Sequence, residues 1–183
     1  MVHRYHIRRT WNIRRLLNEE AAKRIMLATV VCRLDYCNSF LINLPKKHID
    51  RLQKVQNAAA RFISLTSKTE HVSPILQQLH WLPVAFRIKY KIAMIMYRCV
   101  HGTAPIYLRT MLKQYGPKRN LRFSKLPALS FVVPRVNQKT VGSRAFSTAG
   151  PEIWNDIPPS IRTIESINVF KSKLKTYYFN CAF

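Results

Sequence analysis

Apolar residues recur along this chain at helical spacing, most plainly between Leu44 and Ile63, LPKKHIDRLQKVQNAAARFI. At 3.6 residues per turn, Ile49, Leu52, Val55, Ala59, Phe62 and Ile63 gather on one arc that needs burial. Pro45 suits a first helical turn, where its missing N–H costs nothing. Lys47, Arg51, Lys54 and Arg61 fall at i, i+4, i+7 and i+14, a basic stripe interrupted only by Ala58. Asp50, Gln53 and Asn57 fill the third sector. With one face fixed in a core, such a helix presents a rigid row of cations to a polyanion. A solvated basic face fits the same pattern.

Upstream, Asn18 followed by Glu19 and Glu20 predicts a capped helix reaching about Leu41, buried along much of its length. Asn43 suits a left-handed terminator, so the two helices form a hairpin. Downstream, Ser64 to Glu70 is a loop, and Ser73-Pro74 starts a short helix that Pro83 limits. His80-Trp81-Leu82-Pro83 is a tight apolar corner, with Trp81 expected in the core rather than stacked on a base. Between Val84 and His101, Val84, Ile88, Ile92, Ile95 and Cys99 form one apolar face, and Phe86, Tyr90, Ala93 and Tyr97 form another. Arg87, Lys91 and Arg98 lie in the gap, where they are expected to line a groove. Gly102 ends this helix, and Thr103-Ala104-Pro105 opens one more, closed by Gly116-Pro117.

From Pro117 the texture changes. Lys118, Arg119, Arg122 and Lys125 make a basic linker, and Leu129 to Val136 predicts a short strand. Gly142 to Pro159 is turn-rich, with Phe146, Ile153, Trp154 and Ile157 as the apolar content of an irregular lobe. Ser166 caps a last helix with the seam Ile167, Phe170, Leu174 and Tyr178. The expected fold is therefore mainly α. Residues 1–116 form a helical bundle, and residues 117–183 form the basic linker, an irregular lobe with one or two short strands, and a C-terminal helix.

Composition adds the chemistry. In 183 residues, 31 Lys and Arg stand against 8 Asp and Glu, a net charge of +23, while 48% apolar content supports a folded core. Such an excess points to nucleic acid or an anionic membrane surface. The longest charge-free run, His71 to Phe86, contains Pro74 and Pro83 and is too short to span a membrane. Cys32, Cys37, Cys99 and Cys181 show no metal-ligand spacing and read as reduced, intracellular and mostly buried thiols. The isolated glycines form no phosphate-cradling loop. The arginine-rich N-terminus fits a basic helix or arm better than a mitochondrial presequence, and a nuclear or cytoplasmic location is expected.

Several short motifs occur in one order. Leu34-Asp35-Tyr36-Cys37-Asn38-Ser39, Leu44-Pro45, Leu52-Gln53-Lys54-Val55-Gln56-Asn57-Ala58-Ala59-Ala60-Arg61, and Leu79-His80-Trp81-Leu82-Pro83-Val84 with Arg87-Ile88 come first. Gly102 with Ala104-Pro105 and Tyr107-Leu108, then Val132-Val133-Pro134-Arg135, Arg144-Ala145-Phe146, Pro151 with Trp154-Asn155 and Pro158, and Phe170 to Lys175 follow. Together they resemble the region after the polymerase palm in LINE-type non-LTR retrotransposon reverse transcriptases of the jockey and chicken-repeat group. Asn43 stands where those relatives usually have Gly, and Ser143 where an acid usually precedes Arg-Ala-Phe.

The resemblance implies a thumb and downstream region that holds template RNA or an RNA–DNA hybrid against a palm. The paired aspartates of such a palm, which would hold two catalytic metals, are missing from this chain. Asp35, inside a helix, is expected to serve as a local salt-bridge or capping partner, with no metal or other cofactor bound and no polymerase or nuclease activity. Lys47, Arg51, Lys54 and Arg61, with Arg87, Lys91 and Arg98, are the expected phosphate contacts, extended by Arg119, Arg122, Arg135, Lys139 and Arg144. Expected partners are RNA or RNA–DNA hybrid, and a palm and fingers supplied in trans, with no membrane. The other expectation is a truncated element remnant without selected activity, attracting nucleic acid by charge alone.

Overall fold

The computed structural model describes residues 7, 9–116, 129–137 and 142–183. The fold is mainly α, as the periodicity predicts. Its helices are α1 (Glu19–Met26), α2 (Cys32–Asp35), α3 (Lys46–Ser64), α4 (Ser73–Gln78), α5 (Val84–Val100), α6 (Ile106–Thr110), α7 (Phe146–Asp156), α8 (Pro159–Arg162) and α9 (Ile167–Ala182). Contacts divide the chain into two compact units, 1–38 with 44–87 and 181–183, and 39–43 with 88–180. Composition changes at Pro117, whereas this division by contacts falls within α5.

The first unit starts from the cap that the sequence announces. Asn18 Oδ1 accepts from the Ala21 N–H at 2.8 Å, with Glu19 and Glu20 in the first turn of α1. The helix runs through a π-turn, Leu27–Val31, into α2. Thr29 Oγ1 donates to the Ile25 carbonyl at 2.7 Å, competing with the i−4 backbone bond at that place. The helix stops at Asp35 rather than about Leu41, because Cys37 takes φ 49°. Residues Asn38–Leu41 then form a 3-10 turn.

Ala22, Met26, Val30, Val31 and Leu34 pack in one core with Ala59, Ala60, Phe62 and Ile63 of α3, and with Ile75, Leu76, Leu79 and Trp81. Ala59 and Ala60 are fully buried, and their small side chains let the α3 backbone approach its neighbours. Trp81 lies in the core as expected. The buried face of α3 is rotated from the predicted arc: Ile49, Leu52 and Val55 are half-buried, while Gln56 is completely buried.

In the second unit α5 is the spine. Ile88, Ile92, Ala93, Met94, Met96, Tyr97 and Cys99 are buried, so this helix is covered on more than one side, as its two apolar faces predict. Its end is sealed when Thr103 N–H and Ala104 N–H both donate to the Arg98 carbonyl, at 2.9 and 3.0 Å, with Gly102 at φ 71°. Helix α7 replaces the irregular lobe expected over 142–159. Gly150 and Pro151 disfavour a helix locally, yet both are buried within it, and a Cβ on Gly150 would stand 2.7 Å from Met96 Sδ. Close packing on α5 overrides the local propensity. The predicted strand over Leu129–Val136 is reduced to one antiparallel bridge, Gln114 with Phe131.

The seam of α9 docks as drawn from sequence. Phe170, Leu174 and Tyr178 are buried, and Phe170 stacks on Tyr97 with ring centroids 4.2 Å apart. Asn43 is left-handed at φ 52°, and its Nδ2 donates to the Ser143 carbonyl at 2.7 Å.

Candidate nucleic-acid interface

Helix α3 is held in place by a side-chain network on its polar side. Gln56 Nε2 donates to the Leu82 carbonyl at 2.8 Å, and Gln53 Oε1 accepts from the Val84 N–H at 2.9 Å. Gln53 Nε2 donates in turn to Gln56 Oε1 and to Asn57 Oδ1, at 3.1 and 2.7 Å. These two glutamines fasten α3 to the corner Leu82-Pro83 and cap the first turn of α5, where the N–H groups have no helical partner. Sequence reasoning placed Gln53 in a polar sector and gave Gln56 no role. The signal was available: Gln56 lies at i+7 from Ile49 and i+4 from Leu52, on the apolar arc itself.

At the other end of α3, Arg14 is buried. Its Nε donates to the Phe62 carbonyl at 2.6 Å, Nη2 to the Ile63 carbonyl at 2.5 Å and Nη1 to the Leu17 carbonyl at 2.7 Å. A guanidinium there satisfies orphan carbonyls at the negative end of the helix dipole. In sequence, Arg14 is one of a run of N-terminal arginines and nothing local marks it out.

On this fixed helix Lys47, Arg51 and Lys54 are exposed, with no ion pair to any described residue. Lys46, absent from the predicted stripe, is exposed beside them in a first turn that contains no acid and no side-chain cap. Cations at that end oppose the helix dipole, so their placement costs some stability and favours an anion in front of them. Arg61 leaves the stripe: it is half-buried, and its Nη2 donates to the Glu70 carbonyl at 2.8 Å.

Arg87, also in the first unit, is occupied. Its Nε donates to Asp35 Oδ1 at 2.8 Å and its Nη2 to Oδ2, a bidentate pair with side-chain exposures of 18% and 37%. Asp35 is thus a salt-bridge partner, though of a residue 52 positions away rather than of the local one expected, and it joins the Leu34-Asp35-Tyr36 motif to the one that begins at Val84. In the second unit Lys91, Arg98 and Arg135 are exposed. Arg144 is half-buried, with Nε buried and making no hydrogen bond to a described residue. Arg119, Arg122 and Lys139 lie outside the described residues.

Another cation of the second unit was not anticipated. Arg162 is 8% exposed, with Nη1 on Ser130 Oγ at 3.1 Å, and burial draws its pKa below the ordinary guanidinium value. Beside it Trp154 Nε1 donates to the Leu129 carbonyl at 2.6 Å, and Asn155 exchanges two bonds with the Phe131 backbone, at 3.1 and 2.7 Å. These side chains clip residues 129–131 to α7 and α8.

Among the described residues no group of His, Cys, Asp and Glu could hold a metal ion, and no helix is long and apolar enough to cross a membrane. Compared with known proteins, the chain matches no family model, no curated protein and no solved structure.

Proposed function

We propose that this chain is a non-catalytic, nucleic-acid-binding part of a reverse-transcriptase-like polymerase, gripping the backbone of RNA or an RNA–DNA hybrid. The observation that carries this is the row Lys47, Arg51 and Lys54, exposed and unpaired on a helix whose other faces are locked. A rise of about 1.5 Å per residue spreads that row over roughly 10 Å, the length of about three phosphates on one strand. No ion pair to a described residue has to break before these cations meet phosphate. The motif resemblance supplies the polymerase context, and the scarcity of acids, 8 against 31 bases, supplies long-range attraction.

A salt titration of binding to single-stranded RNA, duplex DNA and RNA–DNA hybrid tests the reading. If about six phosphates are neutralised, log affinity falls with log salt at a slope near −4 to −5, and charge reversal at Arg51 plus Lys54 flattens it by about 2. RNA or hybrid is preferred over duplex DNA. An unchanged slope in the double variant removes α3 from the interface.

A second reading has its own observation. Leu16 and Tyr36, in the first unit, are 85% and 80% exposed. Apolar side chains so placed suit a structural remnant that packs against other polypeptide and binds nucleic acid by charge alone. Equal affinity for the three nucleic acids, lost together with salt, together with self-association of the isolated chain, selects this reading.

A further inference from the structure

A cavity of about 480 Å³ lies in the second unit, where α6 meets the bridge between Gln114 and Phe131. Residues opposite one another in an antiparallel bridge project to the same side, and both of these side chains line the cavity. Cys99, Ile106 and Phe131 give it an apolar wall with one aromatic ring, and Arg109, Thr110 and Gln114 give it a polar one. Arg109 Nη1 donates weakly to the Gly102 carbonyl at 3.3 Å, and a Cβ on Gly102 would stand 3.2 Å from that nitrogen. The guanidinium is therefore laid against a bare glycine, and its remaining N–H groups, which make no hydrogen bond to a described residue, face a ligand. Burial pushes the Cys99 thiol pKa up, so the apolar wall stays uncharged.

Among the described residues no carboxylate lines this cavity. Another cavity of the same unit, about 430 Å³, is lined by Glu152 and Asp156 with Lys89, a mixed set that favours an anion less than the lone guanidinium of the first. The first has the size of a small-molecule site, a ring and aliphatic wall for a flat apolar face, an amide for a hydrogen-bonding edge, and a guanidinium for a phosphate.

We propose that this cavity takes one unstacked nucleobase, with its edge on the Gln114 amide and its adjoining phosphate on Arg109. The inference rests on reading the chain as a nucleic-acid binder, and it adds that the strand is single at this point, since a paired base must first leave its stack. A glutamine amide pairs with a base edge that offers a donor beside an acceptor, as the N6/N7 edge of adenine does, and adenine, with its large ring for the apolar wall, serves as the probe base.

The test uses the full chain and three probes: oligouridine with one central adenosine, the same strand abasic at that position, and AMP. The adenosine strand should bind about tenfold tighter than the abasic one, in line with base stacking on protein side chains. Gln114→Ala should shrink that ratio to about threefold, leaving the share carried by stacking, and Arg109→Gln should weaken the adenosine strand about threefold beyond its effect on the abasic strand, where no seated base holds the phosphate in place. Arg109 and Gln114 are exposed, so unchanged melting will show that both variants fold. Competition by AMP assigns the site to free nucleotide as well as strand, and its absence assigns it to strand alone. Equal affinity for the adenosine and abasic strands overturns the cavity and leaves the α3 reading standing. An unchanged salt slope in the Arg51 and Lys54 variant, with the adenosine advantage kept, removes α3 and leaves the cavity.

Discussion

Helices α3 and α5 open with the same basic spacing, Lys47 with Arg51 and Arg87 with Lys91, and the fold treats them differently. On α3 both cations face solvent with no ion pair to a described residue. On α5 the first is bound on two atoms by Asp35, 52 residues away in sequence. A cation's use is set by what oxygen the fold brings to it, and helical spacing cannot reveal that. With 8 acids for 31 bases, the oxygens brought to cations are, among the described residues, often backbone carbonyls: Phe62 and Ile63 for Arg14, Glu70 for Arg61. Part of the +23 charge therefore holds the fold together, and only the remainder is free for a polyanion.

The contrast breaks most visibly at the most buried cation. Arg14→Ala strips three donors from carbonyls at the end of α3 and at Leu17, and should cost about 3 kcal/mol in urea unfolding. Truncating Arg51 to Ala should change stability by less than about 0.5 kcal/mol, as for other exposed sites. Equal losses at the two positions would erase the distinction between structural and free arginines.

Next comes Asp35→Ala, which leaves the Arg87 guanidinium half-buried and unpaired. The loss should be about 2 kcal/mol, below that of a fully buried pair because Asp35 retains 37% of its side-chain exposure and water screens it. In a double-mutant cycle with Arg87→Ala the coupling should be about 1 kcal/mol. Additive losses would mean that the pair contributes nothing beyond its separate side chains. Charge reversal at Arg51 and Lys54, which flattens the salt slope, should leave the same unfolding curve in place.

Much of the helical frame was legible because it depends on near neighbours. The Asn18 cap, the left-handed Asn43, the apolar seam of α9 and the start of α3 at Pro45 all follow from a few adjacent residues. What escaped depends on distant ones. Gly150-Pro151 reads as a turn until α5 is there to pack against it, and Val132-Val133 reads as a strand until one sees that residues 129–131 are clipped by Trp154, Asn155 and Arg162. The candidate site divides the same way. Lys47, Arg51 and Lys54 could be found by counting along one helix, whereas the engagement of Arg61 and Arg87 required knowing the loop and helix opposite them.

The finest distinction is between arginine as geometry and arginine as charge. Arg87→Lys keeps the charge and loses the fork that meets both oxygens of Asp35, since an ammonium is a point donor. That substitution should cost about 1 kcal/mol, measurable as a lower urea midpoint at an unchanged slope of the unfolding free energy. Arg51→Lys, by the same reasoning, should alter neither stability nor the salt slope, because counterion release counts charges and not their shape. If Arg51→Lys weakens RNA binding while leaving the slope intact, the guanidinium of Arg51 makes a directed, bidentate phosphate contact, and α3 positions a strand rather than merely attracting it.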